Sequence, residues 1–145
     1  MRFREVKTQI NELFDRPSNW RIIFHTDYDI HYKSNVKNRE LIVKFWTDRN
    51  QGDWSVVFTV DEVTDVTNGG DEIIIFSTVL NIIENFIHDN DPETLEFSAG
   101  KNDIGGDSRV RLYNRLIKRF ASSVGYKLQD SNEDENEVLY TLIKR

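Results

Sequence analysis

Between residues 20 and 32 every even position carries an apolar, aromatic or β-branched side chain: Trp20, Ile22, Phe24, Thr26, Tyr28, Ile30 and Tyr32. The odd positions include Arg21, His25, Asp27, Asp29 and His31. A period of two is the alternation of a β-strand, so one face of this run packs on a core and the other meets water. The run is longer than an ordinary strand of about five or six residues, so a bend or a tight hairpin is expected near residues 27–29. The alternation returns in Leu41, Val43, Phe45 and Thr47 and again in Trp54, Val56, Phe58 and Val60, on either side of a polar segment, residues 48–53, that contains Gly52. The pair reads as an antiparallel hairpin. Such a chain is committed to a half-buried sheet that needs a cover.

The cover comes from segments with helical period. Phe3, Val6, Ile10, Leu13 and Phe14 predict an amphipathic helix over residues 2–14, ended by Pro17. Phe76, Val79, Leu80, Ile83, Phe86 and Ile87 predict a second helix over residues 76–88, which Asp91 and Pro92 stop. Residues 94–99 read as a short strand and residues 100–107 as a glycine-rich loop. A third helix is expected over residues 109–123, with Ser108 as its N-cap and Gly125 just past its end. Residues 126–128 and 138–143 then pair across an acidic loop, residues 130–137. The order is α, three or four antiparallel strands, α, β, α, β, β, with no internal repeat or linker. The expected fold is a single α+β domain over residues 1–145, a mainly antiparallel sheet flanked by about three helices.

Composition removes several classes of function. The 145 residues include no Cys, which excludes a thiol nucleophile, a thiolate metal site and a disulfide scaffold. The net charge of −6 disfavours binding to a nucleic-acid backbone. Apolar runs such as residues 73–76 are far too short to span a bilayer, and the N-terminus has no apolar signal core, so a soluble, unsecreted protein with no membrane association is expected.

Three groups of residues invite a chemical reading. His25, Asp27, Asp29 and His31 carry metal-ligand side chains, but at about 3.3 Å per residue the two histidines of one strand stand about 20 Å apart and cannot share an ion. They read as the solvated face of an edge strand. The acidic loop starts like a calcium loop, yet Glu135 stands where the sharp turn needs Gly and Thr141 where a bidentate Glu is required. No metal site is expected. His88, near a helix end, reads as a charge favourable to the helix dipole. Nucleophile-elbow, phosphate-loop and His-Glu-x-x-His motifs are absent from the sequence.

The second half of the chain, residues 58–145, resembles the C-terminal part of the GNAT superfamily of N-acetyltransferases. The residues that carry the resemblance are the strand before Asn68-Gly69-Gly70, the helix over 76–88, the strand over 94–99, the pair Leu112-Tyr113, the run Gly125-Tyr126-Lys127-Leu128 and Glu137-Val138-Leu139-Tyr140. The resemblance implies a GNAT-like topology. It also implies an alternative function, an acetyl-CoA-dependent N-acetyltransferase in which Asn68, Gly69 and Gly70 bind the pyrophosphate and Tyr113 protonates the departing thiolate. Residues 76–128 also resemble small proteins of tailed bacteriophages, which implies a chain located in the host cytoplasm or the virion.

Asp71 and Glu72 directly follow the two glycines, and their charges oppose a bound pyrophosphate while favouring the helix end. The first functional expectation is therefore a non-catalytic protein with a GNAT-like core, no cofactor, and a macromolecular partner. The candidate docking residues are Arg111, Arg115, Lys118 and Arg119. At 100° per residue they share an arc of about 100°, and residues 109–123 contain no acid. Guanidinium groups in such an array suit a protein partner with an acidic surface.

Overall fold

The chain is described here by a computed structural model covering residues 19–48, 52–61, 72–100, 106–133 and 137–145. Strands β1 (Trp20–His25), β2 (Asp29–Val36), β3 (Arg39–Thr47) and β4 (Asp53–Val60) form an antiparallel meander. Helix α1 (Glu72–Asn90) leads to β5 (Thr94–Gly100), and helix α2 (Gly106–Ser123) leads to the closing hairpin of β6 (Tyr126–Glu133) and β7 (Glu137–Lys144). Among the described residues the strands form one sheet in the order β1-β2-β3-β4-β5-β7-β6. Every neighbouring pair is antiparallel except β4 and β5. This mixed sheet with helices matches the expected α+β class. The described residues hold two helices rather than about three, because the opening helix expected over residues 2–14 lies outside them.

The even-numbered run over residues 20–32 resolves into two strands joined by a tight turn. The backbone N–H groups of Tyr28 and Asp29 donate to the Thr26 hydroxyl at 3.2 and 3.0 Å, and Thr26 N–H donates to the Asp29 carbonyl at 2.7 Å. A bulge in β1 between Ile22 and Phe24 shifts the register, so the alternation changes phase there. Phe24 pairs with His31 on the solvent-facing side of β2, and its ring lies 4.9 Å from the His31 imidazole. Sequence alternation alone had placed Phe24 on the core face.

Both connections β4–α1–β5 and β5–α2–β6 join parallel strands and step the same way along the sheet, and right-handed crossovers put both helices on the same face. The core lies between that face and the helices. Leu41, Val43, Phe45, Val56, Phe58, Leu95, Phe97 and Leu142 meet Ile75, Phe76, Val79, Ile83 and Phe86 of α1 and Ile117 and Phe120 of α2. Phe86 stacks on Phe45 with centroids 4.0 Å apart and planes 5° from parallel. Trp20 ties the first strand to α1: its indole N–H donates to Asn81 Oδ1 at 2.9 Å, and its ring meets Tyr32 edge-on.

Element ends differ from the sequence reading in three places. Helix α1 starts four residues before Phe76, at Glu72. Helix α2 starts at Gly106, so Ser108 lies inside its first turn and is not its N-cap. Gly125, with φ of 81°, does adopt the left-handed conformation expected just past the helix end. The acidic loop is also shorter than expected. Asp130, Ser131, Asn132 and Glu133 pair with Thr141, Tyr140, Leu139 and Val138.

Candidate functional site

The one parallel junction among the described residues is the distinctive place in the sheet. Pairing between β4 and β5 runs from Asp53↔Thr94 to Val57↔Ser98, and no further pair joins the two strands among the described residues. Both strands nonetheless continue, β4 to Val60 and β5 to Gly100. Their carboxyl ends therefore part. Their amino ends are fastened: the Thr94 hydroxyl donates to Asp53 Oδ1 at 2.7 Å, and the backbone N–H groups of Glu93 and Thr94 both donate to the Gly52 carbonyl, at 2.8 and 3.1 Å. Lys144 N–H donates to the Glu93 carbonyl at 2.9 Å, which brings β7 into the same fastening. A pair of strands closed at one end and open at the other makes a wedge.

The helix side of this wedge is packed with aromatic rings. Phe58 of β4 and Phe97 of β5 stack at 6.0 Å, and Phe76 of α1 lies 5.7 Å from Phe97 and 6.5 Å from Phe58. Tyr140 of β7 continues the stack at 5.9 Å from Phe97. On the other side of the sheet Val57, Thr59 and Ser98 are half-buried. The carboxyl end of the wedge is where the chain leaves β4 for α1 and β5 for α2, so the N-termini of both helices point to it. Open α/β sheets bind ligands outside the carboxyl ends of parallel strands, and helix N-termini present N–H groups and a partial positive charge suited to phosphate. In the third turn of α2, Asn114 adds a buried side-chain oxygen with no hydrogen-bond partner among the described residues.

The sequence-predicted site residues divide unevenly. Asn68, Gly69 and Gly70 lie outside the described residues. Tyr113 and Arg111 lie in the second turn of α2. Arg115, Lys118 and Arg119 are exposed on α2, and no ion pair joins them to another described residue. The last turn of α2 carries no basic residue, so the helix dipole does not account for their placing. The strand histidines and aspartates form no cluster with a third ligand among the described residues. His31 is held below its ordinary pKa, first by burial and then by Lys44, with Asp29 opposing. His88 is exposed at the end of α1, 3.4 Å from Asp89. Sequence reasoning missed the Asp53–Thr94 fastening and the buried Asn114 oxygen. Spacing could have flagged Asn114, which stands three residues before Ile117 on the buried stripe of α2.

No helix among the described residues is long and apolar enough to cross a membrane. No family model matches the chain, and no curated protein matches it in sequence. Several solved acetyltransferase structures resemble it in fold. One is RimL, a ribosomal L7/L12 alpha-N-protein acetyltransferase in complex with coenzyme A, at 11% identity and a TM-score of 0.46, covering 81% of this chain and 63% of that one. A second is the acetyltransferase from Salmonella typhimurium that modifies the N-terminal serine of L7/L12, at 12% identity and TM-score 0.44, covering 81% and 65%. A third is the ribosomal-protein-S5-alanine acetyltransferase from Vibrio fischeri, at 9% identity and TM-score 0.44, covering 94% and 68%. This chain thus spans a little under two thirds of the length of the first two.

The expectation of a chain without a cofactor is corrected at this point. The RimL structure carries coenzyme A, and the cofactor-free reading is not kept. That reading weighed only the side-chain charges of Asp71 and Glu72. Phosphate at a helix N-terminus is held by backbone N–H groups, which a list of side-chain charges does not register. The wedge and the two helix N-termini, whose free N–H groups are donors, fit such a group.

Proposed function

We propose that the chain is an acyl-CoA-dependent N-acetyltransferase, with the β4–β5 wedge as its cofactor cleft. The observation that carries this is the parting of the only parallel strand pair among the described residues, at the end where both helices begin. In this reading the backbone of Asn68, Gly69 and Gly70 and the first turn of α1 hold the pyrophosphate. Coenzyme A supplies the activated thioester. The chain's own residues orient the acceptor amine, exclude water and move protons. Tyr113 gives a proton to the departing thiolate, and the ordinary Tyr pKa of about 10 lies close enough to that of a thiol for the transfer to proceed. The exposed Arg115, Lys118 and Arg119 support an acceptor that is itself a protein with an acidic surface.

Calorimetric titration of the full chain with coenzyme A should give a dissociation constant in the micromolar range. Absence of heat at millimolar ligand would overturn the reading. Tyr113→Phe keeps the ring while removing the proton, so it should leave coenzyme A affinity unchanged and lower turnover by about 100-fold or more. An equal loss of affinity and turnover would make Tyr113 a packing residue.

A further inference from the structure

The face of the sheet turned away from both helices carries no covering element among the described residues. On that face the ladders align residues in rows across the strands. Asp29 of β2, Trp46 of β3, Ser55 of β4 and Glu96 of β5 are partners in succession and form one row. His31, Lys44, Val57 and Ser98 form the next row towards the carboxyl end of β4, and there β4 and β5 pair for the last time before they part. In the first row Trp46 is 43% exposed, although a large aromatic side chain gains by burial. Glu96 is exposed and Asp29 half-buried, and no ion pair joins either to another described residue. Other acids find cations, as where Glu40 lies 3.2 Å from Lys33 and Asp91 2.7 Å from Lys144. Trp46 and Glu96 flank Ser55 with roughly 10 Å between their backbones, and the short Ser55 side chain leaves room between them. An indole on one side of such a gap and a carboxylate on the other suit an organic cation.

We propose that Trp46, Ser55 and Glu96 form a specificity subsite for a positive charge on the acceptor, and that the acceptor polypeptide begins with Lys. The inference rests on the acetyltransferase reading for the chemistry at the wedge. The second row has the opposite character to the first. Lys44 is exposed there, and its charge, after burial, holds the facing His31 below its ordinary pKa. A nitrogen brought to this row is likewise driven towards its neutral form, the form that attacks a thioester. The two rows stand about 7 Å apart along β4, and an extended lysine holds its two nitrogens about 7 Å apart. The ordinary α-amino pKa of about 7.7 to 8.0 lets that nitrogen stand neutral beside Lys44, whereas the side-chain amine, at about 10.4, stays charged over Ser55.

Two short peptides that differ only in a first residue of Lys or norleucine test this on the full chain. Without coenzyme A, the Lys peptide should change the tryptophan fluorescence at about ten-fold lower concentration than the norleucine peptide. Trp46→Leu should abolish that change. With acetyl-CoA present, the KM for the Lys peptide should be lower by a similar factor. Glu96→Gln should remove the preference in both measurements, and Glu93→Gln, which alters an exposed acid outside the row, should keep it. Fluorescence changes at equal concentration, acetylation of both peptides with equal KM, or a preference that survives Glu96→Gln or Trp46→Leu would each overturn the subsite. A Lys preference in binding with neither peptide acetylated would instead overturn the acetyltransferase reading and uphold the cation subsite.

Discussion

The two helices lie on the same face of the sheet and begin at the same end of the β4–β5 wedge, yet they are built on opposite terms. Helix α1 is buried around most of its circumference: Ile75, Phe76, Ser77, Thr78, Val79, Leu80, Ile82, Ile83, Phe86 and Ile87 are all out of solvent, and Glu84 is the one exposed residue between 74 and 87. Its polar groups are satisfied locally, as where the Thr78 hydroxyl donates to the Ile74 carbonyl at 2.8 Å. Helix α2 instead buries a stripe of Leu116, Ile117, Phe120 and Ala121 and turns Arg115, Lys118 and Arg119 to water. The first helix organises the core. The second shares that core and also presents a charged surface, so in α2 the buried residues and the exposed cations are different residues of one element.

That difference can be broken by substitution. Phe86→Ala should have the largest effect, about 3 to 5 kcal/mol in denaturant melts, because it empties the space between Phe45 and Trp54. A loss below about 1 kcal/mol would show that α1 is not the organising helix. Leu116→Ala on the α2 stripe should cost less, about 2 kcal/mol, the low end for a buried Leu beside a helix face that can relax.

Tyr126, which follows α2, provides the next test. It is buried, and its hydroxyl donates to the Pro92 carbonyl. Tyr126→Phe leaves that buried carbonyl unpaired and should cost about 1 to 3 kcal/mol. Burial first, and then Asp91, push the Tyr126 pKa up to about 12 from an ordinary 10.0. The folded state therefore keeps a proton that the unfolded state releases, so its contribution is complete below pH 10 and is lost as the pH rises towards 12. Alkaline melts of wild type should steepen in that window, and those of Tyr126→Phe should not.

The smallest effect belongs to the exposed face of α2. Reversing Arg115, Lys118 and Arg119 to Glu should change stability by no more than about 0.5 kcal/mol each, as for surface positions without a partner. The same variant should lose binding to an acidic acceptor polypeptide. A large drop in melting temperature would move these cations from recognition to structure.

The legible parts of the fold were those governed by short-range periodicity. Strands β3 and β4 and helix α1 were marked by alternation and by the i, i+3, i+4 pattern, since burial on one face repeats at the period of the backbone. Other features were set by long-range pairing and left no local signal. The bulge that turns Phe24 outward depends on the register with β2. The extension of β6 through Asp130, Ser131, Asn132 and Glu133 depends on the ladder with β7, which overrides the turn propensity of those residues. The wedge was equally hidden, because whether two strands part after Val57 and Ser98 is a property of neither sequence alone. The resemblance pointed to Tyr113 and to Asn68, Gly69 and Gly70, whereas the Asp53–Thr94 contact that closes the wedge joins residues 41 positions apart and leaves no motif.

Backbone hydrogen exchange of the full chain, with and without saturating coenzyme A, tests the central claim most directly. Binding in the wedge should slow exchange at residues 58–60 and in the first turns of α1 and α2, while β1 and the β6–β7 hairpin stay unchanged. Unaltered exchange at residues 58–60 and at both helix starts, or protection confined to other parts of the sheet, would contradict it.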